Sequence, residues 1–317
     1  MMLGKKLVLL AVISVMTGSQ ALGQRSGDPR SYYREFSSES RRIAMKNLRY
    51  MQTLLKGEDP RRVNRYAEMV SEQLEDSKRN LERVGPYEDD RVLYDEFIEA
   101  LEMYTKSFEG TIPDSLKENY MASFENLTAY YKALEEAEGL ALEAAYKMEE
   151  AEKYFAKKYE VRRIPNERTE KALAKVDNVV IHERDATRAY VRVRAKVDEL
   201  LKVLEEGDLE TKQAKCPGLL SELRNNIATS LKEAKELMQF EEDDLAKEVL
   251  SYIEDIDDEM EDELSPLVRQ LTNEFLDPDD YEDAQEDLED FIEWHNSLKE
   301  DFQEEKEEFI VDYLEDD

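Results

Sequence analysis

The sequence predicts an all-α protein of long antiparallel helices, arranged as two tandem halves that each resemble a four-helix bundle. Three observations carry this. Glycine and proline are scarce, 10 and 8 in 317 residues, while the strong helix formers Glu, Lys, Ala and Leu abound. Apolar residues recur at steps of three and four, and no strand-like alternation is long enough to build a sheet. Four of the eight prolines stand where helices should begin, each behind a capping residue: Asp28-Pro29, Asp59-Pro60, Ser265-Pro266 and Asp277-Pro278. Proline suits the first helical position because the amide there has no intrahelical partner.

The chain opens with MMLGKKLVLLAVISVMTGSQALG. Lys5 and Lys6, an apolar run from Leu7 to Met16 and the small residues Ser19, Ala21 and Gly23 read as a secretory signal over residues 1–23, too short for a membrane span. No cysteine follows the apolar run, which argues against a lipid anchor. The expected setting is periplasmic, cell-surface or secreted, and bacterial, because the single cysteine, Cys216, cannot form an internal disulfide.

The first helix is expected over 30–56, between Asp28-Pro29 and Gly57. A second, 60–84, runs from Asp59-Pro60 to Gly85, and a third, 88–109, from the acids behind Tyr87 to Gly110. The run Leu116, Tyr120, Phe124, Leu127, Tyr131, Leu134, Leu140, Ala144, Met148, Ala151, Phe155 makes 114–160 one helix, about 45 residues and roughly 70 Å long if Gly139 does not interrupt it. Helix 168–206 stops at Gly207. Helices 218–240, 242–264 and 266–276 follow, with Cys216 in KCPG at a helix start. The last, 279–314, carries the stripe Tyr281, Ala284, Leu288, Phe291, His295, Leu298, Phe302, Phe309, Tyr313.

Two domains are expected after the signal, 24–163 and 164–317, with VRRIPNERTE (161–170) between them. The second could repeat the first. LLKGED (54–59) resembles LEEGDL (204–209), GPYEDD (85–90) resembles QFEEDD (239–244), and an offset of 153 pairs Leu74 with Ile227, Ser77 with Ser230 and Val84 with Leu237.

Charge is unevenly distributed. The chain carries a formal −33, yet residues 24–84 hold 14 basic and 10 acidic side chains, whereas 241–317 hold 4 and 34. Such a C-terminal region repels phosphate backbones and anionic lipid, and favours basic proteins, basic peptides and cations. Its densest stretch, EDIDDEMEDE (254–263), is a helix face. At 100° per residue, Ile256, Met260 and Leu264 fall within about 60° of Ile253, and the acids spread over the remaining arc. A calcium ion needs six to eight converging oxygens. Asp257, Asp258 and Asp262 therefore attract cations without forming a site on one helix. The same holds for Asp279, Asp280 and Asp283 in DPDDYEDAQEDLED (277–290), where an EF-hand would need Gly at the place of Glu282. Convergence of acids from neighbouring helices, making a calcium-binding envelope protein, is the alternative to a basic-partner surface.

No catalytic constellation is legible. The residues three before His182 and His295 are Val179 and Ile292, so the Glu-x-x-His motif of di-iron bundles is missing. No phosphate loop or nucleophile elbow occurs. His295, on the apolar stripe beside Trp294, reads as a packing histidine and His182 as an exposed polar residue near Asp185. Cys216 could meet either histidine only through the fold. The expectation is no catalytic residue and no cofactor. In the doublets Tyr32-Tyr33 and Tyr130-Tyr131, one ring of each pair should face away from the core.

GPYEDDRVLYDEFIEALEMY (85–104) together with EAEKYFAKKYEV (150–161) resembles the central part of an uncharacterised family of bacterial secreted or surface helical proteins. Phe155, Ala156, Lys158 and Tyr159 fit its pattern, whereas Glu152 replaces an expected Gln. The resemblance covers about 80 residues, implies a helical exported protein and transfers no catalytic residue.

Overall fold

The computed structural model describes residues 27–56, 59–109, 119–163, 167–238 and 244–315, and the proposed signal lies outside them. The described chain is all-α: α1 Pro29–Leu55, α2 Pro60–Val84, α3 Val92–Glu109, α4 Phe124–Lys158, α5 Glu167–Glu206, α6 Leu209–Leu237, α7 Asp244–Glu259, α8 Ser265–Leu271 and α9 Pro278–Glu315. Among the described residues no strand forms, and Tyr87 and Asp90 make an isolated bridge.

Three of the four expected helix starts at prolines are found with their caps, whereas Ser265-Pro266 falls inside a continuous helical run and has no side-chain cap. Asp28 accepts from the amides of Arg30 and Ser31, and Asp59 from that of Arg61 at 2.7 Å. Gly85 ends α2 at φ +69°, a conformation that strains any residue with a Cβ. Gly139 lies inside α4 without breaking it, and the segment 114–118 lies outside the described residues.

Five boundaries differ from expectation. Among the described residues α4 begins at Phe124, behind the extended Ser123, instead of at 114, and α8 ends at Leu271 instead of 276. Helix α3 begins at Val92 instead of residue 88, because the turn at 87–90 places the Asp90 carboxylate on the Val92 amide at 3.0 Å. Helix α6 begins at Leu209, not 218: Asp208 caps the Thr211 amide at 2.8 Å, and Pro217 is accommodated inside the helix. Helices α7 and α8 form one helical run, joined by the π-turn Met260–Leu264. There the Ser265 amide reaches the Met260 carbonyl, five residues back, just ahead of Pro266, which has no amide to donate.

The chain forms two compact units. Among the described residues, one lies within 27–109 and 132–180 and the other within 119–131 and 181–315, so α4 and α5 contribute to both. In the first unit, α1 packs on α2 and α2 on α3, antiparallel neighbours because short turns join them. Its core gathers Tyr32, Tyr33, Phe36, Leu74, Leu81, Phe97, Leu101 and Phe155. Both tyrosines of the first doublet are buried, contrary to expectation. Tyr32 donates to the Gly85 carbonyl at 2.8 Å and Tyr33 to Glu152 at 2.9 Å, so each phenol is satisfied inside.

The two stretches that carry the family resemblance meet here. Tyr87 packs against Phe155 and Tyr159, at ring distances of 5.4 and 5.0 Å. Asp90 accepts from Lys158 at 2.9 Å and from Tyr159 at 3.2 Å. Burial works against the Asp90 charge, yet these donors and the Val92 amide hold its pKa below the usual carboxylate range.

In the second unit α6 packs on α7 and α8, and α9 on α7 and α8. Tyr190, Tyr252, Leu223, Val249, Ile253 and Phe302 are fully buried, with Tyr190 and Phe302 stacked at 3.6 Å. Of the positions joined by the offset of 153, Val84 is half-buried and Leu237 buried. Leu74 and Ile227 are buried, and Ser77 and Ser230 are inaccessible. Ser77 donates to Glu39 at 2.8 Å, and the residue 153 positions after Glu39, Arg192, donates to Ser230 at 3.3 Å.

Candidate functional site

Helix α7 buries Leu245, Val249, Tyr252, Ile253 and Ile256, while α9 buries Ala284, Leu288, Phe291, His295, Phe302 and Phe309. These facing stripes fix what flanks them. Asp244 and Glu248, four residues apart on α7, and Asp301 and Glu305, four apart on α9, border the packed seam from both sides.

The carboxylates there act on one another. Glu248 has its pKa raised by burial first and then by Asp301, Glu305 and Asp255. Glu305 is raised by burial and by Asp244, Glu308 and Asp312, with Lys247 working against the shift. Glu259, further along α7, is raised by burial and by Glu263, Asp262, Asp258 and Asp255. A raised carboxyl pKa records a cost of holding negative charge, so the seam gains when a cation approaches.

The cations on α9 are directed elsewhere. Lys299 pairs with Asp198 of α5 at 3.3 Å, and Lys306 with Glu183 of α5 at 2.6 Å. Lys247 pairs with Asp244. Arg224 of α6 reaches Glu261 of the π-turn at 2.6 Å, and Lys235 of α6 reaches Glu254 of α7 at 3.8 Å.

Among the acids named from sequence, Asp258, Asp262, Asp279, Asp280 and Asp283 are exposed and Asp257 is half-buried. Asp277 accepts from the Asp279 amide at 3.1 Å, so this stretch serves as a helix start. Among the described residues, no three or more His, Cys, Asp or Glu side chains are grouped so as to hold a metal ion. Asp244, Glu248, Asp301 and Glu305, whose charges act on one another across α7 and α9, were not singled out from the sequence. The signal that could have found them is the pair of four-residue acidic spacings beside the two apolar stripes.

His295 is 1% exposed, and its Nε2 lies 2.9 Å from the Tyr252 hydroxyl. Its Nδ1 is 3.7 Å from Asp198, which also receives Arg194 at 3.0 Å. Burial pushes the His295 pKa down to about 4 against the pull of Asp198, with Lys299 and Arg194 adding to the fall. Tyr252 is equally enclosed, so the Tyr252–His295 pair acts as a neutral, hydrogen-bonded core element. His182, expected to be exposed, is buried beside Phe309 at a ring distance of 5.3 Å, because α9 covers that face of α5. Cys216 is fully buried within α6 instead of standing at a helix start, and burial raises its thiol pKa.

Among the described residues no helix is long and apolar enough to cross a membrane. No family model, no curated protein and no solved structure matches the chain.

Proposed function

We propose that the protein is an exported, non-catalytic interaction protein that uses its acidic C-terminal helices to engage a basic protein or peptide. The observation that carries this reading is the carboxylate seam between α7 and α9. There Glu248 and Glu305 are held above the ordinary carboxylate range by burial and by each other's acidic neighbours. A lysine or arginine side chain laid along the seam relieves that repulsion and gains charge-assisted hydrogen bonds. The excess of acids over 241–317 adds a field that steers such a partner from a distance. Export rests on the amino-terminal signal pattern, in keeping with the resemblance to exported helical proteins.

The test is calorimetric titration with a lysine- and arginine-rich peptide at low salt and at about 0.15 M, where exposed charges are screened beyond roughly 8 Å. Saturable binding that weakens with salt is expected. Binding that ignores ionic strength, or no binding, contradicts the proposal.

A second reading, a calcium-binding envelope protein, draws on the same crowding of carboxylates. Saturable Ca²⁺ uptake by the chelator-stripped protein at the same ionic strength would favour it over the first. Weak, non-saturating heat would leave the acids as a surface for basic partners.

A further inference from the structure

At one end of the second unit, the first turns of α6 and α9 and the connection between α8 and α9 border a pocket of about 260 Å³. It is lined by Leu209, Lys212, Leu271, Asn273, Glu274, Leu276 and Tyr281. Lys212 is 4% exposed. Its stem lies against the α5–α6 turn, where a Cβ on Gly207 would stand 3.5 Å from the Lys212 Cγ and 2.5 Å from the Val203 carbonyl oxygen. The backbone contact, far under van der Waals distance, keeps position 207 a glycine.

The Lys212 ammonium is poorly compensated. Its contacts are the Tyr281 hydroxyl at 3.4 Å, at the long limit for a hydrogen bond, and the Tyr281 ring, whose centroid is 5.7 Å away. Among the described residues no carboxylate lies within ion-pair distance of it, although Glu274 lines the same pocket. Lysine is almost never this buried without an anionic partner, because desolvating an ammonium costs several kcal/mol. In a chain of net charge −33, a buried lysine with no carboxylate at ion-pair distance among the described residues, set beside three leucines, is an arrangement for an anion that comes from outside.

Leu209 is the first residue of α6 and Tyr281 lies in the first turn of α9, so two helix starts, capped by Asp208 and Asp277, border the pocket. The walls from Leu209, Leu271 and Leu276 are apolar. The volume, at the low end for ligand pockets, suits a compact molecule and excludes a long acyl chain.

We propose that this pocket binds a small monocarboxylate with a short aliphatic tail, the carboxylate accepting from the Lys212 ammonium and the Tyr281 hydroxyl and the tail lying on the three leucines. The proposal is independent of the acidic seam and has the opposite charge preference.

The test is calorimetric titration of the full chain with sodium hexanoate, and with 1-hexanol and hexylammonium chloride as probes of the same length. Hexanoate should saturate a single site and bind at least about tenfold more tightly than either control. Lys212→Met, which preserves the length and apolar character of the stem, should weaken hexanoate by about tenfold or more, and Glu274→Gln should strengthen it. Absence of saturable hexanoate binding, equal binding of hexanol, or unchanged affinity in a folded Lys212→Met protein would overturn the assignment. The comparison among the three probes needs no variant, so it decides the matter even if Lys212→Met does not fold.

Discussion

The Tyr33 phenol of α1 donates a 2.9 Å hydrogen bond to Glu152 of α4, a carboxyl group with no exposed surface. Arg163 approaches the same oxygen only to 4.0 Å, and among the described residues the other oxygen, Oε1, has no hydrogen-bond partner. Burial outweighs Tyr33 and Arg163, with Glu149 adding to it, and raises the pKa to about 7.

The folded first unit therefore binds the Glu152 proton more tightly than the unfolded chain does. Its contribution is complete below the ordinary value of 4.5 and is lost as pH rises to about 7. The loss is roughly 3 kcal/mol if Arg163 does not close the gap. Glu152→Gln should remove this dependence and make the unit more stable than wild type at pH 7.5. Hydrogen exchange of core amides in α1 and α4 at pH 5 and 7.5 measures it; an identical pH dependence in the variant would refute the assignment.

His295 gives the second unit the opposite slope. Its pKa of about 4 lies below the ordinary 6.5, so the folded state resists a proton that the unfolded chain accepts. Stability is full above about 6.5 and falls as the pH drops to about 4, by roughly 3 kcal/mol in total. His295→Gln, which still offers Tyr252 a hydrogen-bonding partner, should flatten this part of the acid limb. Unfolding of α7 and α9 followed by amide exchange between pH 4 and 7 checks the result.

Much of this fold is written locally. Asp28-Pro29, Asp59-Pro60 and Asp277-Pro278 each place a carboxylate on amides two or three residues ahead, and the helices start there as expected. The start of α6 was not legible. Pro217 looks like a beginning, whereas the cap at Asp208 and the packing around buried Cys216 and Leu219 hold a proline within the helix. Burial of His182, Tyr32 and Tyr33 was also hidden, because it depends on which helix covers them. The acidic stretch 254–263 drew attention by density, yet the carboxylates that face one another, Glu248 and Glu305, are 57 positions apart.

The Lys306–Glu183 pair links α9 to α5 at 2.6 Å, with Thr187 donating to the same carboxylate at 2.9 Å. Both charged side chains are largely enclosed, at 12% exposure each. Removing one partner leaves a charge stranded. Lys306→Met should cost about 3–5 kcal/mol, and adding Glu183→Leu should restore most of the loss. Urea unfolding of the single and double variants measures the coupling; additive losses would show that the pair does not act as a unit.

The central claim is that converging acids, and not acid content alone, make the partner surface. One quadruple and one triple variant separate these ideas: Asp244→Asn, Glu248→Gln, Asp301→Asn and Glu305→Gln at the seam, against Asp257→Asn, Asp258→Asn and Asp262→Asn on the diverging face. The decisive measurement is their affinity for the same lysine- and arginine-rich peptide at about 0.15 M salt. The account predicts at least about tenfold weaker binding for the seam variant and a few-fold change for the other. Equal losses in both, or no loss at the seam, would contradict it.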